Sequence, residues 1–155
     1  MTKQMFGGGG NIELLPLVRK EKIEEVIYQF DGVFINRVTE RPNFKDMMNK
    51  ITEKANVLVA VCKNEIVGFS AFYMNDFITN TIYISLFVVD KKCQGKHIGT
   101  QMMNYIKSAG QVNGFEKIRL EVDDENAQGT NFYIQNGFVY ETRASDDSRY
   151  MILNL

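Results

Sequence analysis

Residues 81–110, "TIYISLFVVDKKCQGKHIGTQMMNYIKSAG", restrict the fold of this chain more than any other stretch. "TIYISLFVV" is β-branched and aromatic and reads as a strand. It ends at a polar loop holding Gly95, Lys96, Gly99 and the chain's only histidine, His97. From Ile98, residues Met102, Tyr105, Ile106 and Ala109 fall on one helical face, closed by Gly110 and Gly114. The first N–H groups of such a helix lack internal partners and sit at the positive end of its dipole. A glycine-containing loop feeding them lets the backbone approach phosphate oxygens, so this junction is a candidate anion cradle. The bland alternative is a tight corner, where glycine serves equally well.

Upstream, "NIELLPL" (11–17) is a short strand cut off by Pro16. Ile23, Val26, Ile27 and Phe30 share a helical face, and "DG" at 31–32 breaks that helix. A second helix follows Pro42, with Phe44, Met47, Met48, Ile51 and Ala55 in the same spacing. "NVLVAV" and "IVGFSAFYM" are strands joined as a hairpin at "KNE" (63–65). Downstream, "EKIRLEV" is a strand, and "NAQGTNFYIQNG" is a short helix capped by Asn126 and ended by Gly137. "FVYETR" and "RYMILNL" are the last strands, separated by the polar "ASDDS". Residues 1–10, with four glycines, read as a flexible leader, and residues 11–155 as one domain without repeats or linkers. The order of elements predicts an α+β fold, a sheet flanked by helices.

Composition removes several classes of function. At 155 residues, 45% hydrophobic and 24% charged, the chain suits a single globular domain. A formal net charge of -1 gives no basic field for nucleic acid or for an anionic membrane. The apolar runs are strand-sized and too short to span a bilayer, and the N-terminus lacks the apolar stretch of a secretory signal. Cys62 and Cys93, with one histidine, support neither a disulfide framework nor a Cys/His metal site. A reduced, cytoplasmic protein without a metal is expected.

Two stretches carry a family resemblance. "VVDKKCQGKHIGTQMM" resembles the acetyl-CoA-binding motif of the GNAT N-acetyltransferase superfamily, Q/R-x-x-G-x-G/A after a strand. Gln94 matches the opening Q/R, Gly95 and Lys96 fill the x positions, His97 falls on the first glycine, Ile98 is x, and Gly99 is the last. "LEVDDENAQGTNFYIQNGF" resembles L-x-V-x-x-x-N-x-x-A-x-x-x-Y-x-x-x-G-F. Leu120, Val122, Asn126, Tyr133, Gly137 and Phe138 match, and Gly129 replaces the alanine. The element order agrees with the family from Ile12 to Leu155. The resemblance implies a GNAT-type acyl-CoA N-acyltransferase fold, with a mixed, mostly antiparallel central sheet and about four helices. It further implies that N–H groups from Gln94 to Thr100 hold the coenzyme A pyrophosphate. Phe87, Val88 and Val89 would offer backbone groups to the pantetheine arm and to the thioester oxygen, and Asn126 would also face the cofactor. His97 departs from the motif; a first helical turn has φ < 0, which any residue adopts, so its side chain is expected to be solvated. The functional alternative is a contact between His97 and a phosphate.

Acetyl transfer to an amine requires a base for the nucleophile, a donor to the carbonyl oxygen and a proton for the leaving thiolate. By resemblance Tyr133 is the acid; otherwise it is a wall residue beside the cofactor. Many members carry a glutamate where this chain has Ser85, and serine cannot replace it unaided. Glu121 is then the nearest alternative, because alternation turns Glu121 and Asp123 to one face and Leu120 and Val122 to the other. Water relayed by backbone carbonyls would also suffice. The family builds its acceptor pocket from the two early helices and the last hairpin, so Tyr28, Phe34 and Ser85 are candidate substrate contacts, although the aromatics also suit packing of the helix joint. A small-molecule primary amine is the expected acceptor, and acetyl-CoA the donor. Members often dimerise, and "RYMILNL" offers a strand for a homodimer. The main rival is a catalytically weak or inactive acyl-CoA-binding module acting as a sensor or interaction protein. A phosphate-binding enzyme of another class is disfavoured by the lack of G-x-x-x-x-G-K-[ST].

Overall fold

A computed structural model describes the backbone of residues 2–6 and 10–155, and side chains from Asn11 onward. The elements in chain order are β1 (Thr2–Phe6), β2 (Gly10–Pro16), α1 (Lys20–Phe30), α2 (Phe44–Lys54), β3 (Asn56–Cys62), β4 (Glu65–Asp76) and β5 (Thr81–Val89). There follow α3 (Ile98–Val112), β6 (Lys117–Asp123), α4 (Ala127–Gln135), β7 (Val139–Ser145) and β8 (Ser148–Asn154). Hydrogen bonds order the strands β1-β2-β3-β4-β5-β6-β8-β7. The β1–β2, β2–β3, β6–β8 and β7–β8 pairs are antiparallel, whereas β5 and β6 run parallel from Thr81↔Lys117 to Ile84↔Leu120. A parallel pair needs a long crossover, and α3 supplies it. This is the mixed, mostly antiparallel α+β sheet with four helices that the sequence predicted.

Contacts divide the chain into two compact units, Met1–Ala71 with Leu86–Met102, and Phe72–Ser85 with Met103–Leu155. In the first, Ile23, Val26, Ile27 and Phe30 form the buried stripe of α1, and the Phe30 ring lies 5.5 Å from that of Phe69. The helix joint is pinned by Asp31, whose carboxylate accepts from Thr39 N at 2.9 Å and from Thr39 Oγ1 at 2.7 Å. Burial raises the Asp31 pKa, but these bonds and Arg37 outweigh it and hold the carboxyl below its usual range. The β3–β4 turn needs only Lys63 and Asn64, with φ of 50° and 66°, the twist-matched geometry of a two-residue hairpin.

In the second unit, Ile82, Ile106, Ile118, Leu120, Phe138 and Met151 are buried. Of the two glycines expected to close α3, Gly114 (φ 82°) does follow its end at Val112, whereas Gly110 lies inside the helix. Gly110 is a packing residue: an added Cβ would lie 2.7 Å from Ile82 Cδ1 and 2.9 Å from Leu155 Cδ1. The leader expected at residues 1–10 lies in part outside the described residues. Within it, Thr2–Phe6 is a strand, with Thr2 opposite Leu14 and Phe6 opposite Gly10.

Candidate functional site

In the first unit the loop after β5 is tied to β4 at its start and then held by its own short-range bonds. Asp90 N donates to Val67 O at 2.8 Å, Cys93 N to Asp90 O at 2.9 Å, and Lys92 N to Asp90 Oδ1 at 3.2 Å. Gln94 then turns its amide back, Nε2 donating to Val89 O at 3.0 Å. Gly95 (φ 80°) and His97 (φ 63°) both take the left-handed conformation. No heavy atom lies within 4 Å of a Cβ added at Gly95, so its backbone angle accounts for the glycine. The expectation of φ < 0 at His97 is corrected. His97 precedes the helix rather than sitting in its first turn, and it bears a conformation costing a side-chain-bearing residue about 1 kcal/mol. Its side chain is exposed, as expected.

Helix α3 starts at Ile98, and Gln101 N donates to His97 O at 3.2 Å. The N–H groups of Ile98, Gly99 and Thr100 therefore precede the internal ladder, at the positive end of a 15-residue helix. Lys96 is exposed beside them, and Ile98 anchors the turn in the core at 3% exposure. Next to Thr100, Gln101 keeps a buried Oε1 without a hydrogen-bond partner. A ligand with anionic groups fits this junction.

The end of β5 depends on two β4 residues that sequence reasoning passed over. A Cβ at Gly68 would lie 3.1 Å from Val88 O and 3.1 Å from Met102 Sδ, so glycine lets these backbones approach. Ser70, fully buried, donates to Leu86 O at 2.8 Å. An isolated glycine in a strand run was the available signal for the first; nothing local marked the second. Phe87 and Val89 alternate with buried Leu86 and Val88. Tyr28 packs edge-on to Phe44 at 6.0 Å while 54% exposed, and Phe34 packs against Phe69 at 6.2 Å under Arg41.

In the second unit Ser85 is half-buried on β5. Leu120 and Val122 are buried while Glu121 is exposed, as alternation required. The Glu121 carboxylate accepts from Ser148 Oγ at 2.6 Å. Asn126 caps α4, its Oδ1 accepting from Gly129 N at 2.9 Å. As Asn126 is placed here, a Cβ at Gly129 would meet its side chain, so an alanine would require Asn126 to shift. Tyr133 is half-buried on α4, between the rings of Phe132 (5.5 Å) and Phe138 (5.7 Å). Burial pushes its phenol above the ordinary range, so the hydroxyl keeps its proton at neutral pH. A separate cavity of about 460 Å³ lies between α4 and the last hairpin, walled by an Asp124–Arg143 ion pair (2.7 Å) and by Arg149 over the Tyr140 ring. Glu121, Asn126 and Tyr133 do not line it. Among the described residues no group of three His, Cys, Asp or Glu is placed to hold a metal, and no helix is long and apolar enough to cross a membrane.

An acyltransferase is the class that this fold and this junction define. The profile of the Acetyltransferase (GNAT) family matches residues 23–138, well over half the chain, and the protein belongs to that family. No curated protein matches it in sequence. Among solved structures, a GNAT-family acetyltransferase from Staphylococcus aureus Mu50 is 21% identical, with a TM-score of 0.73, covering 93% of this chain and 99% of that one. The PaiA N-acetyltransferase from Thermoplasma acidophilum, in complex with coenzyme A, is 20% identical, with the same TM-score and coverage. A GNAT acetyltransferase from Elizabethkingia anophelis with acetyl-CoA bound is 15% identical, with a TM-score of 0.72, covering 93% and 98% of the two chains. At such identities the likeness establishes the shared fold.

Proposed function

We propose that this protein is an acetyl-CoA-dependent N-acetyltransferase that moves an acetyl group directly onto a primary amine of a small molecule. The observation that carries the reading is the junction of β5 and α3, where left-handed Gly95 and His97 feed the leading N–H groups of a helix. Bound acetyl-CoA supplies an activated acyl carbon and a thiolate leaving group. The N–H groups from Gln94 to Thr100, with Lys96, would hold its phosphates, and Asn126 would face it from the start of α4. Phe87, Val88 and Val89 would present backbone groups to the pantetheine arm and to the carbonyl oxygen as it gains charge. Tyr133, half-buried on α4, would give its proton to the departing sulfur. Glu121, exposed on β6, would take the proton of the amine.

Tyr28, Phe34 and Ser85 stand as acceptor contacts on this reading. Two half-buried free cysteines, Cys62 and Cys93, fit a reducing cytoplasm. The strand expected to serve a homodimer, "RYMILNL" in β8, is paired on both sides by β6 and β7 and has no free edge. The exposed Val139 and Tyr140 on β7, an end strand, would suit that contact instead. The rival reading, an acyl-CoA-binding module without turnover, draws on Ser85 standing where many members have a glutamate.

Calorimetric titration of acetyl-CoA tests the cradle, with Gly99→Glu placing a carboxylate where the pyrophosphate would approach. We expect affinity near −8 kcal/mol, the micromolar range, lost in the variant. Thiol release over a panel of glucosamine, spermidine, an aminoglycoside, lysine and a lysine-containing peptide then separates the readings. Turnover with one of the small amines supports the transferase, binding without turnover supports the sensor, and no binding removes both.

A further inference from the structure

Ser148 begins β8 and is 2% exposed, so its hydroxyl must be hydrogen-bonded to offset its burial. It has two partners, Glu121 Oε1 at 2.6 Å and Ser145 Oγ at 2.8 Å. Ser148 has one proton, and the bond to Glu121 uses it. Ser145 is therefore the donor between the two serines. Ser145 Oγ in turn accepts from Asp147 N at 3.1 Å. The result is a one-way series of donors: Asp147 N–H to Ser145, Ser145 to Ser148, Ser148 to the carboxylate. Each link polarises the next, and the last is of the short, charge-assisted kind. A simple turn would not need this arrangement, because β7 and β8 are already joined by a two-residue turn within a paired hairpin.

The geometry points to Ser148 as a positioning residue that, backed by Ser145, fixes the Glu121 carboxylate so that its second oxygen faces the acceptor amine. The inference rests on the reading of Glu121 as the base. In the step concerned, one N–H bond of the acceptor ammonium breaks, its proton passes to Glu121 Oε2, and the bonding pair left on nitrogen becomes the lone pair that attacks the acyl carbon. The Ser148 proton stays on its own oxygen and holds Oε1 throughout. Orientation of this kind acts on turnover and leaves donor binding untouched.

The test compares wild type, Ser148→Ala, Ser148→Thr, Glu121→Gln and the double variant Ser148→Ala/Glu121→Gln. The substrates are acetyl-CoA and the fastest amine of the panel above. We expect Glu121→Gln to lower kcat by 10² or more, the usual range for a general base. Ser148→Ala should lower kcat about tenfold, the worth of one hydrogen bond, with KM for acetyl-CoA unchanged. Threonine should restore most of the loss, and alanine should add nothing in the Glu121→Gln background. Ser145→Ala, at an exposed position, gives a smaller loss of the same pattern and serves if Ser148→Ala does not fold. An unimpaired Ser148→Ala beside an impaired Glu121→Gln overturns the inference alone, as does an equal loss in both backgrounds. A fully active Glu121→Gln removes the base together with this inference, and a wild type inert towards the whole panel removes the transferase reading with them.

Discussion

His97 holds a left-handed backbone conformation with a Cβ in place, immediately before the helix that receives it. Glycine populates that region without the steric penalty. His97→Gly should therefore stabilise the fold by about 1 kcal/mol, less the added entropy of the unfolded chain. Urea unfolding reads the change, and calorimetry should find acetyl-CoA affinity kept, because the N–H groups of the junction are retained. Gly68 presents the opposite case. A Cβ there meets the Val88 carbonyl and the Met102 sulfur at 3.1 Å, and the carbonyl cannot move without shifting the end of β5. Gly68→Ala should cost about 1–3 kcal/mol, the range for overpacking, and should weaken acetyl-CoA binding, measured by the same two methods.

At the scale of the element, α3 sets two effects against each other at Gly110. Alanine in a helix interior is worth about 1 kcal/mol over glycine. Against it, the new methyl would press on Ile82 Cδ1 at 2.7 Å and Leu155 Cδ1 at 2.9 Å, and overpacking costs about 1–3 kcal/mol. Packing wins, so Gly110→Ala should lower the thermal midpoint; a rise would show that both side chains step aside freely. The same competition explains why, of the two glycines expected to close this helix, Gly114 follows its end while Gly110 lies inside it. A glycine near a helical stripe ordinarily marks an end, but here an isoleucine of β5 and the chain's last residue require the missing side chain. Where the deciding contact was local, the element was legible. Asn126 caps α4 through a bond three residues away, and Lys63–Asn64 close their hairpin through their own torsions.

For the molecule as a whole, resistance to acid should depend on Asp31. Burial raises its pKa, while the Thr39 bonds and Arg37 lower it by more, so its native value lies below the ordinary 3.8. A carboxylate so depressed contributes its stability fully above the unfolded value and loses it as pH falls through the native one. Asp31→Asn should thus cost about 2 kcal/mol at neutral pH, the range for a hydrogen bond to a charge. In urea midpoints the gap to wild type should begin to narrow as pH falls below the ordinary 3.8 and should close below the native value; a gap constant down to about pH 3 would contradict this account. Periodicity, caps and the spacing of two motifs were written in the chain, because each rests on residues within a few positions of one another. They determined the strand–loop–helix junction, the α+β order of elements, and the placing of Gln94 to Thr100 and Tyr133 on their elements. The left-handed angle at His97, the backbone approach at Gly68, the buried Ser70 and the Ser148–Glu121 bond were decided by tertiary structure alone. Ser148 and Glu121 lie 27 positions apart and meet only because β8 pairs antiparallel to β6. No local pattern encodes a contact that exists only once the sheet has formed.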